Sequence, residues 1–472
     1  MTHVSQGGVD EWRAAHAEGA TKIISCIIIH LCLIGLTCCL PATAQAQSTL
    51  SETIQNKPAT AWSAKVEHAQ PPARPKATRV TADAAVGPAR TFAAQATTAS
   101  LSGDAQQTVF RLQLSKGVTA EVFTLANPYR VIVDMPGVGF QLDEAAGKQG
   151  RGLITAFRFG QFAEGKSRIV IDVAQPVLIA KAGMTALPSG TGIELAIVLE
   201  ATSQQSFGSG TGAATQQPET AAIANPPAPR ANRTKPVILI DPGHGGIDGG
   251  TVGSSNLIEK NVVLAVAKEL QRQLGKSNRY DVRMTRTTDV FVSLDRRLKL
   301  SRDAAADLFI SLHADSIADP QAVQSVRGAT VYTLSERASD EQARRMAEKE
   351  NASDLIAGLD GTAGDSGGEV KGILIDLMKR ETANFSADFS TTLVGSLKRN
   401  VHLSRDPQRS AAFKVLKQTH APSILLELGY LSHNEDQKLL NSANWQRTAA
   451  ESIVRAIDAF FAKQDAGAAS RP

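Results

Sequence analysis

Residues 237–250 read Val-Ile-Leu-Ile-Asp-Pro-Gly-His-Gly-Gly-Ile-Asp-Gly-Gly. Four apolar residues run without a break into Asp241 and Pro242 and then into a glycine-rich stretch, the pattern of a buried strand that ends in a tight, open loop. His244 stands in that loop between Gly243 and Gly245. Just past the carboxyl end of a buried strand is where open α/β sheets place ligand and metal chemistry, because the strand is rigid and its loop faces the crevice. A plain glycine turn carrying an exposed histidine has the same local sequence, so the decision rests on the residues C-terminal to it.

Downstream the chain alternates strand and helix patterns. Residues 258–274 carry Val263, Ala267, Leu270 and Leu274 on one helical face, with Gly275 as a stop signal. Strands are expected at 280–285, 307–312, 328–334 and 423–428, and helices at 294–306 and 445–461. This alternation predicts an α/β domain over 235–465, a mixed sheet with helices on both faces.

Three of these strands end in residues suited to metal chemistry: the first before His244, the second at His313 in Ser-Leu-His-Ala-Asp, the third at Glu427 in Leu-Leu-Glu-Leu-Gly. Parallel neighbours ending on one edge would bring them together, with Glu259 at the head of the helix after the first strand. Two imidazoles and a carboxylate, with a fourth position left to water, are the ligands of a hydrolytic zinc site. Glu427, between Leu426 and Leu428, is costly in such a strand without a partner, and beside an activated water it would act as general base. Taken singly, His313 reads as a satisfied core histidine and Glu427 as a salt-bridged carboxylate; their joint placement at element ends favours the site. His402, His420 and His433 fit no such pattern and are read as surface or supporting residues.

The rest of the chain has other compositions. Lys22, the apolar residues 23–40, Pro41 and the small-residue track to Ala46 fit an export signal over 1–46, with a retained signal anchor as the rival reading. All four cysteines lie in that segment, so the processed chain would have no disulfide and no thiolate ligand. Residues 47–98 and 201–234 are rich in Ala, Thr, Pro, Gln, Gly and Ser and read as disordered linkers. Between them, 99–200 shows short alternating β-branched runs parted by Asn-Pro and Pro-Gly turns, which predicts a small all-β domain. It contains no histidine and only scattered carboxylates, so binding suits it better than catalysis, with a spacer as the alternative. The net charge of +4 is small for 472 residues and gives no nucleic-acid footprint.

Asp241-Pro-Gly-His-Gly-Gly, Glu259-Lys-Asn, Ser311-Leu-His-Ala-Asp and Leu425-Leu-Glu-Leu-Gly-Tyr-Leu together resemble the motif set of the zinc-dependent N-acetylmuramoyl-L-alanine amidases of the amidase_3 family. The resemblance implies one Zn2+ on His244, Glu259 and His313, with Glu427 catalytic. It also implies the substrate, the amide between N-acetylmuramic acid and the L-alanine of the peptidoglycan stem peptide. The β domain is similar to the AMIN module that targets such amidases to the wall, and the export signal suits a periplasmic enzyme of the division septum with no stable membrane insertion after processing. An inactive wall-binding protein and a zinc peptidase acting within the stem peptide stay open as alternatives.

Between the second and third metal strands the connection is long. Ser339-Asp-Glu-Gln342 resembles a capping box that opens a charged helix to about Ala357, whose large apolar residues are few, and the glycine-rich 358–368 has the composition of a hinge. An ordinary solvated surface helix has the same composition. In the septal amidases that the chain resembles, an inserted helix covers the zinc and lends it a Glu until a LytM-domain activator displaces it. The expectation is that 335–376 is autoinhibitory, with Glu336, Glu341, Glu348 or Glu350 as the extra ligand.

Overall fold

The computed structural model describes residues 78–80, 92–143, 145–207, 234–317, 323, 325–359, 373–418 and 420–469. The expected export signal, with its cysteines, lies outside these residues, as do most of both linkers and residues 360–368 of the expected hinge.

The first domain is built of β1 (Thr78–Val80), β2 (Ala94–Gly103), β3 (Gln107–Leu114), β4 (Ala120–Leu125), β5 (Arg130–Pro136), β6 (Val138–Phe140), β7 (Ile154–Ala163), β8 (Lys166–Val173), β9 (Val177–Ala186) and β10 (Ile193–Ala201). They form two five-stranded sheets, ordered β1-β4-β5-β8-β7 and β6-β2-β3-β10-β9. Their facing sides share one core, in which Phe110 and Phe157 meet edge to face at 5.2 Å. The all-β expectation therefore holds, with two corrections at its start: β2 begins at Ala94, ahead of the expected boundary at 99, and β1 pairs with β4 from within the stretch read as linker. Both are short on large apolar residues, so backbone pairing rather than a hydrophobic pattern sets them.

The second domain runs β11 (Val237–Pro242), α1 (Glu259–Ser277), β12 (Asp281–Met284), α2 (Leu294–Ala304), β13 (Leu308–His313), β14 (Ala329–Leu334), α3 (Glu341–Asn351), α4 (Ser353–Ile356), α5 (Ile373–Leu397), β15 (Leu403–Ala411), β16 (Ser423–Glu427), α6 (Asn434–Leu440) and α7 (Ala443–Ala469). One mixed sheet, β12-β11-β13-β16-β14-β15, carries it, with β14 antiparallel to β16 and the remaining pairs parallel. Every residue of β11, β13 and β16 is buried, since both faces are covered. Ile238, Ile240, Ile310 and Leu426 pack under α1, α5 and α7, while Leu239, Phe309 and Leu425 pack under α2 and α3. This continuous burial is why the strands read as unbroken apolar runs.

Three details differ from the sequence reading. The helix expected to stop at Gly275 continues to Ser277 and ends on Asn278 in the left-handed region, φ 51°. The α3 cap is Asp340, whose side chain accepts from Ala343 N, rather than Ser339. Helix α5 and strand β15 were not expected at all. The apolar stripe of α5, Phe389, Leu393 and Leu397, is thin and padded with Ser386 and Ser390, and β15 reads Leu-Ser-Arg-Asp-Pro-Gln-Arg-Ser-Ala, an edge strand with no apolar alternation. Among the described residues no helix is long and apolar enough to cross a membrane.

Candidate active site

Strands β11, β13 and β16 are parallel neighbours, with Pro242 opposite Leu312 and His313 opposite Glu427, so their carboxyl ends form one edge. Helix α1 delivers Glu259 to that edge in its first turn. His244 Nε2 lies 3.2 Å from Glu259 Oε1, and His313 Nδ1 lies 3.2 Å from the same oxygen. Ligand atoms of His244, Glu259 and His313 fall within 4.8 Å of one another. The edge predicted from three strand ends is therefore formed, and the four residues meet there.

The loop that presents His244 is held by charge. His244 itself has φ 56°, and a Cβ at Gly243 would come within 2.4 Å of the His313 ring, so only glycine fits between the imidazoles. Arg297, almost fully buried, donates to the carbonyls of Pro242 and His244 at 2.9 Å each, and Arg286 donates to those of Pro242 and Gly243 at 3.0 and 2.8 Å. Arg297 also pairs with Asp241, which accepts from Thr285 and Ser311 as well. Burial alone would raise the Asp241 carboxyl, but Arg297 and these hydroxyls outweigh it and hold the group below its usual range.

The donor set suits a dication. His244 Nδ1 is 2.9 Å from Asp248 Oδ2, a carboxylate that fixes the ring and leaves Nε2 aimed at Glu259 and His313. That Nε2 is buried and, although Glu259 is near, no atom stands in hydrogen-bonding geometry to it. Glu259 Oε1 accepts from Ala314 N and Oε2 from Thr251 N, both at 2.9 Å, so the carboxylate is oriented rather than mobile. Burial would depress the His244 imidazolium, yet Asp248, Glu259 and Glu350 reverse this and raise it well above the ordinary histidine range. Three carboxylates facing one buried imidazole make a place that favours positive charge. Were a dication held by His244, Glu259 and His313, Asp248→Asn would loosen its retention by about 10–100-fold while leaving those three side chains in place; competition with a chromophoric chelator measures it.

Glu427 is fully buried; Oε2 accepts from Asp315 N at 3.0 Å, and Oε1 has no partner. Burial pushes its carboxyl well above the usual range, and the neighbouring Asp315, Glu259 and Glu350 charges add to the push.

Of the four candidate extra ligands, one reaches the site. Glu350 Oε2 lies 3.4 Å from His244 Nε2 and 3.2 Å from His313 Nδ1, and Glu350 is only 5% exposed. Glu341 and Glu348 point outward and pair with Arg344, and Glu336 is exposed. The neighbours of Glu350 also engage the site: Lys349 pairs with Asp315 and donates to Thr251 Oγ1 at 2.7 Å, and Ser353 donates to Asp248 at 2.5 Å. Residues 349–353 thus form the wall over the imidazoles. His402, His420 and His433 lie elsewhere; His433 is buried and caps α6.

Asp248, Arg286, Arg297, Asp315 and Lys349 were not singled out in the sequence. Asp248, Asp315 and Lys349 had a usable signal, each standing within four residues of a candidate ligand; Arg286 and Arg297 had none, being single cations in charged segments.

Fold and site together define an α/β domain with a buried His-Glu-His cluster at the carboxyl edge of its sheet. The N-acetylmuramoyl-L-alanine amidase family model matches residues 238–459, and the AMIN domain model matches residues 100–192. N-acetylmuramoyl-L-alanine amidase AmiC of Escherichia coli O6:H1 is 33% identical over 359 residues, which cover 72% of this chain and 83% of that protein. AmiC of Neisseria meningitidis serogroup B is 31% identical over 74% of this chain and 86% of its own length, and AmiA of Escherichia coli K12 is 35% identical over 49% and 79%. The chain belongs to the N-acetylmuramoyl-L-alanine amidase family, in its AmiC-like form with an AMIN domain ahead of the catalytic one.

Proposed function

We propose that this chain is an exported, zinc-dependent amidase that cleaves the bond between N-acetylmuramic acid and L-alanine in septal peptidoglycan, and that it is held inactive by residues 335–376 until an activator acts. The observation that carries the catalytic reading is the convergence of His244, Glu259 and His313 within 4.8 Å, with Glu427 opposite His313 in the adjacent strand. Zinc on those three residues would supply Lewis acidity to the scissile carbonyl. Glu427, raised by burial, would take the proton of the attacking water and hand it to the departing amine as the C–O bond forms and the C–N bond breaks. Asp248 keeps the His244 ring in register, and Arg286 and Arg297 keep its loop from moving.

The inhibitory reading is supported by Glu350, whose carboxylate stands between the imidazoles where a substrate carbonyl would have to enter. Anchoring at the wall through the AMIN domain, a periplasmic location and a LytM-domain activator fit the family and the N-terminal export pattern.

The test is a digest of purified peptidoglycan by the full-length chain carrying Glu350→Gln, followed by mass spectrometry. Intact free stem peptides are the expected product, and they should vanish on chelation and return with Zn2+. Shortened stem peptides would replace the amidase reading with a peptidase, and no product would favour a wall-binding protein without activity.

A further inference from the structure

The outer face of the β1-β4-β5-β8-β7 sheet does not face water. Alternation along its strands sends Val131, Val133, Ile169 and Ile171 into the domain's own core, which leaves Arg130, Ile132, Asp134, Arg168 and Val170 on the other side. There Phe123, Leu125, Ile132 and Val170 form a second apolar cluster with Ile247, Phe291 and Ala357 of the catalytic domain. Two parts of the catalytic domain thus meet one sheet face. Ile247 and Phe291 belong to the wall around the His244 loop, and their amides donate to Gln161 O at 3.3 and 3.2 Å. Ala357 belongs to the end of the segment that carries Glu350.

Three arginines converge on that end. Arg130 donates to Leu355 O at 2.7 Å, Arg158 to Ile356 O at 3.2 Å, and Arg168 to both Ala357 O and Gly358 O at 3.1 Å. Each is aimed from within its own domain: Arg130 by Pro128 O, Arg158 by Asp172, Arg168 by both oxygens of Asp134. A carbonyl oxygen has two lone pairs, and charge-assisted donation from guanidinium groups is the strong way to fill those left open where a helix stops. Gly358, at φ +71°, lies so close that a Cβ there would come within 2.7 Å of Ile132 Cδ1 and 2.9 Å of Val170 Cγ2.

We propose that the AMIN domain has a second function beyond wall targeting: its arginine-lined sheet face is a receptor for the carboxyl end of the inhibitory segment and locks Glu350 into the active site. This rests on the inhibitory reading of that segment. Glu350 and Lys349 hold the segment at one end, the three arginines hold it at the other, and Ser353 lies between. An activator must therefore break the domain contact as well as withdraw Glu350, and any ligand that lifts the β domain lowers the barrier to activation.

The test uses the full-length chain in three forms: Arg130→Ala with Arg158→Ala, Gly358→Val, and Glu350→Gln. Arg168 is left alone because its buried pair with Asp134 belongs to the domain's own stability. Activator-free hydrolysis of labelled peptidoglycan and hydrogen exchange of amides 341–359 are read on each, with Arg111→Ala on the opposite sheet as control. The expected result is a rise of about tenfold in basal hydrolysis for the double arginine variant and for Gly358→Val, with faster exchange in 341–359 and unchanged protection of the β-domain strands. If Glu350→Gln raises hydrolysis while the other two leave both readouts at wild-type values, the lock is overturned and the inhibitory segment stands. If no variant raises hydrolysis, Glu350→Gln included, both readings fall. Gly358→Val lies outside the β domain, so loss of that domain's fold in the arginine variant does not remove the test.

Discussion

Full-length chain carrying Glu350→Gln should hydrolyse peptidoglycan about 10–100-fold faster than wild type when no activator is present, the factor expected from losing about 1.5–3 kcal/mol of charge-assisted contact. Glu350 is a buried carboxylate that burial drives upward, with Glu259 and Asp315 adding repulsion, and the imidazoles of His313 and His244 are what oppose this. A buried carboxylate of this kind is favoured in the site by the imidazoles that face it. Glutamine keeps the volume and the helix but removes the charge, so the segment retains its packing through Ala343, Met346 and Ala347 and loses its hold on the ligands. The Lys349–Asp315 and Ser353–Asp248 contacts remain, which bounds the gain. Dye release from labelled peptidoglycan measures it, and Glu348→Gln, on the exposed face, should leave basal activity unchanged. An unchanged rate for Glu350→Gln would remove the inhibitory role of the segment.

Glu427→Gln, introduced into the Glu350→Gln background so that the covering segment does not mask it, should lose about 10³-fold in turnover, the scale of a missing general base. The side-chain oxygen can still accept from Asp315 N, as Oε2 does now at 3.0 Å, so the strand and the fold are kept. None of His244, Glu259 and His313 changes, so the metal content should stay at the wild-type level. Rate and metal content measured on one preparation separate this from a structural effect. Loss of metal in step with activity would make Glu427 a support for the ligands rather than the base.

The sheet edge that gathers His244, His313 and Glu427 was legible because its strands are buried on both faces and therefore contrast sharply with the His and Glu that end them. The segment over it was half legible. Ala343, Met346, Ala347 and Glu350 recur at helical spacing and form the buried stripe of α3, but a stripe of two alanines and one methionine is weak beside that helix's charge, so the choice among Glu336, Glu341, Glu348 and Glu350 stayed open. Edge strand β15 and helix α5 were not legible, since pairing partners and padding by serine leave no apolar pattern to read.

The sequence by itself determined the buried central strands and helices α1 and α2, the all-β region ahead of the α/β one, and the identity of the residues gathered at the sheet edge, because burial periodicity and strand ends are local properties. Only the tertiary structure decided that Glu350 enters the site and that Arg130, Arg158 and Arg168 grip the end of its segment. Alternation in β5 and β8 says which side chains share a face, yet not what covers that face. Here the cover comes from a segment 189 residues away, as in the bond from Arg168 to Ala357 O, and contacts at that separation leave no trace in the spacing of either partner.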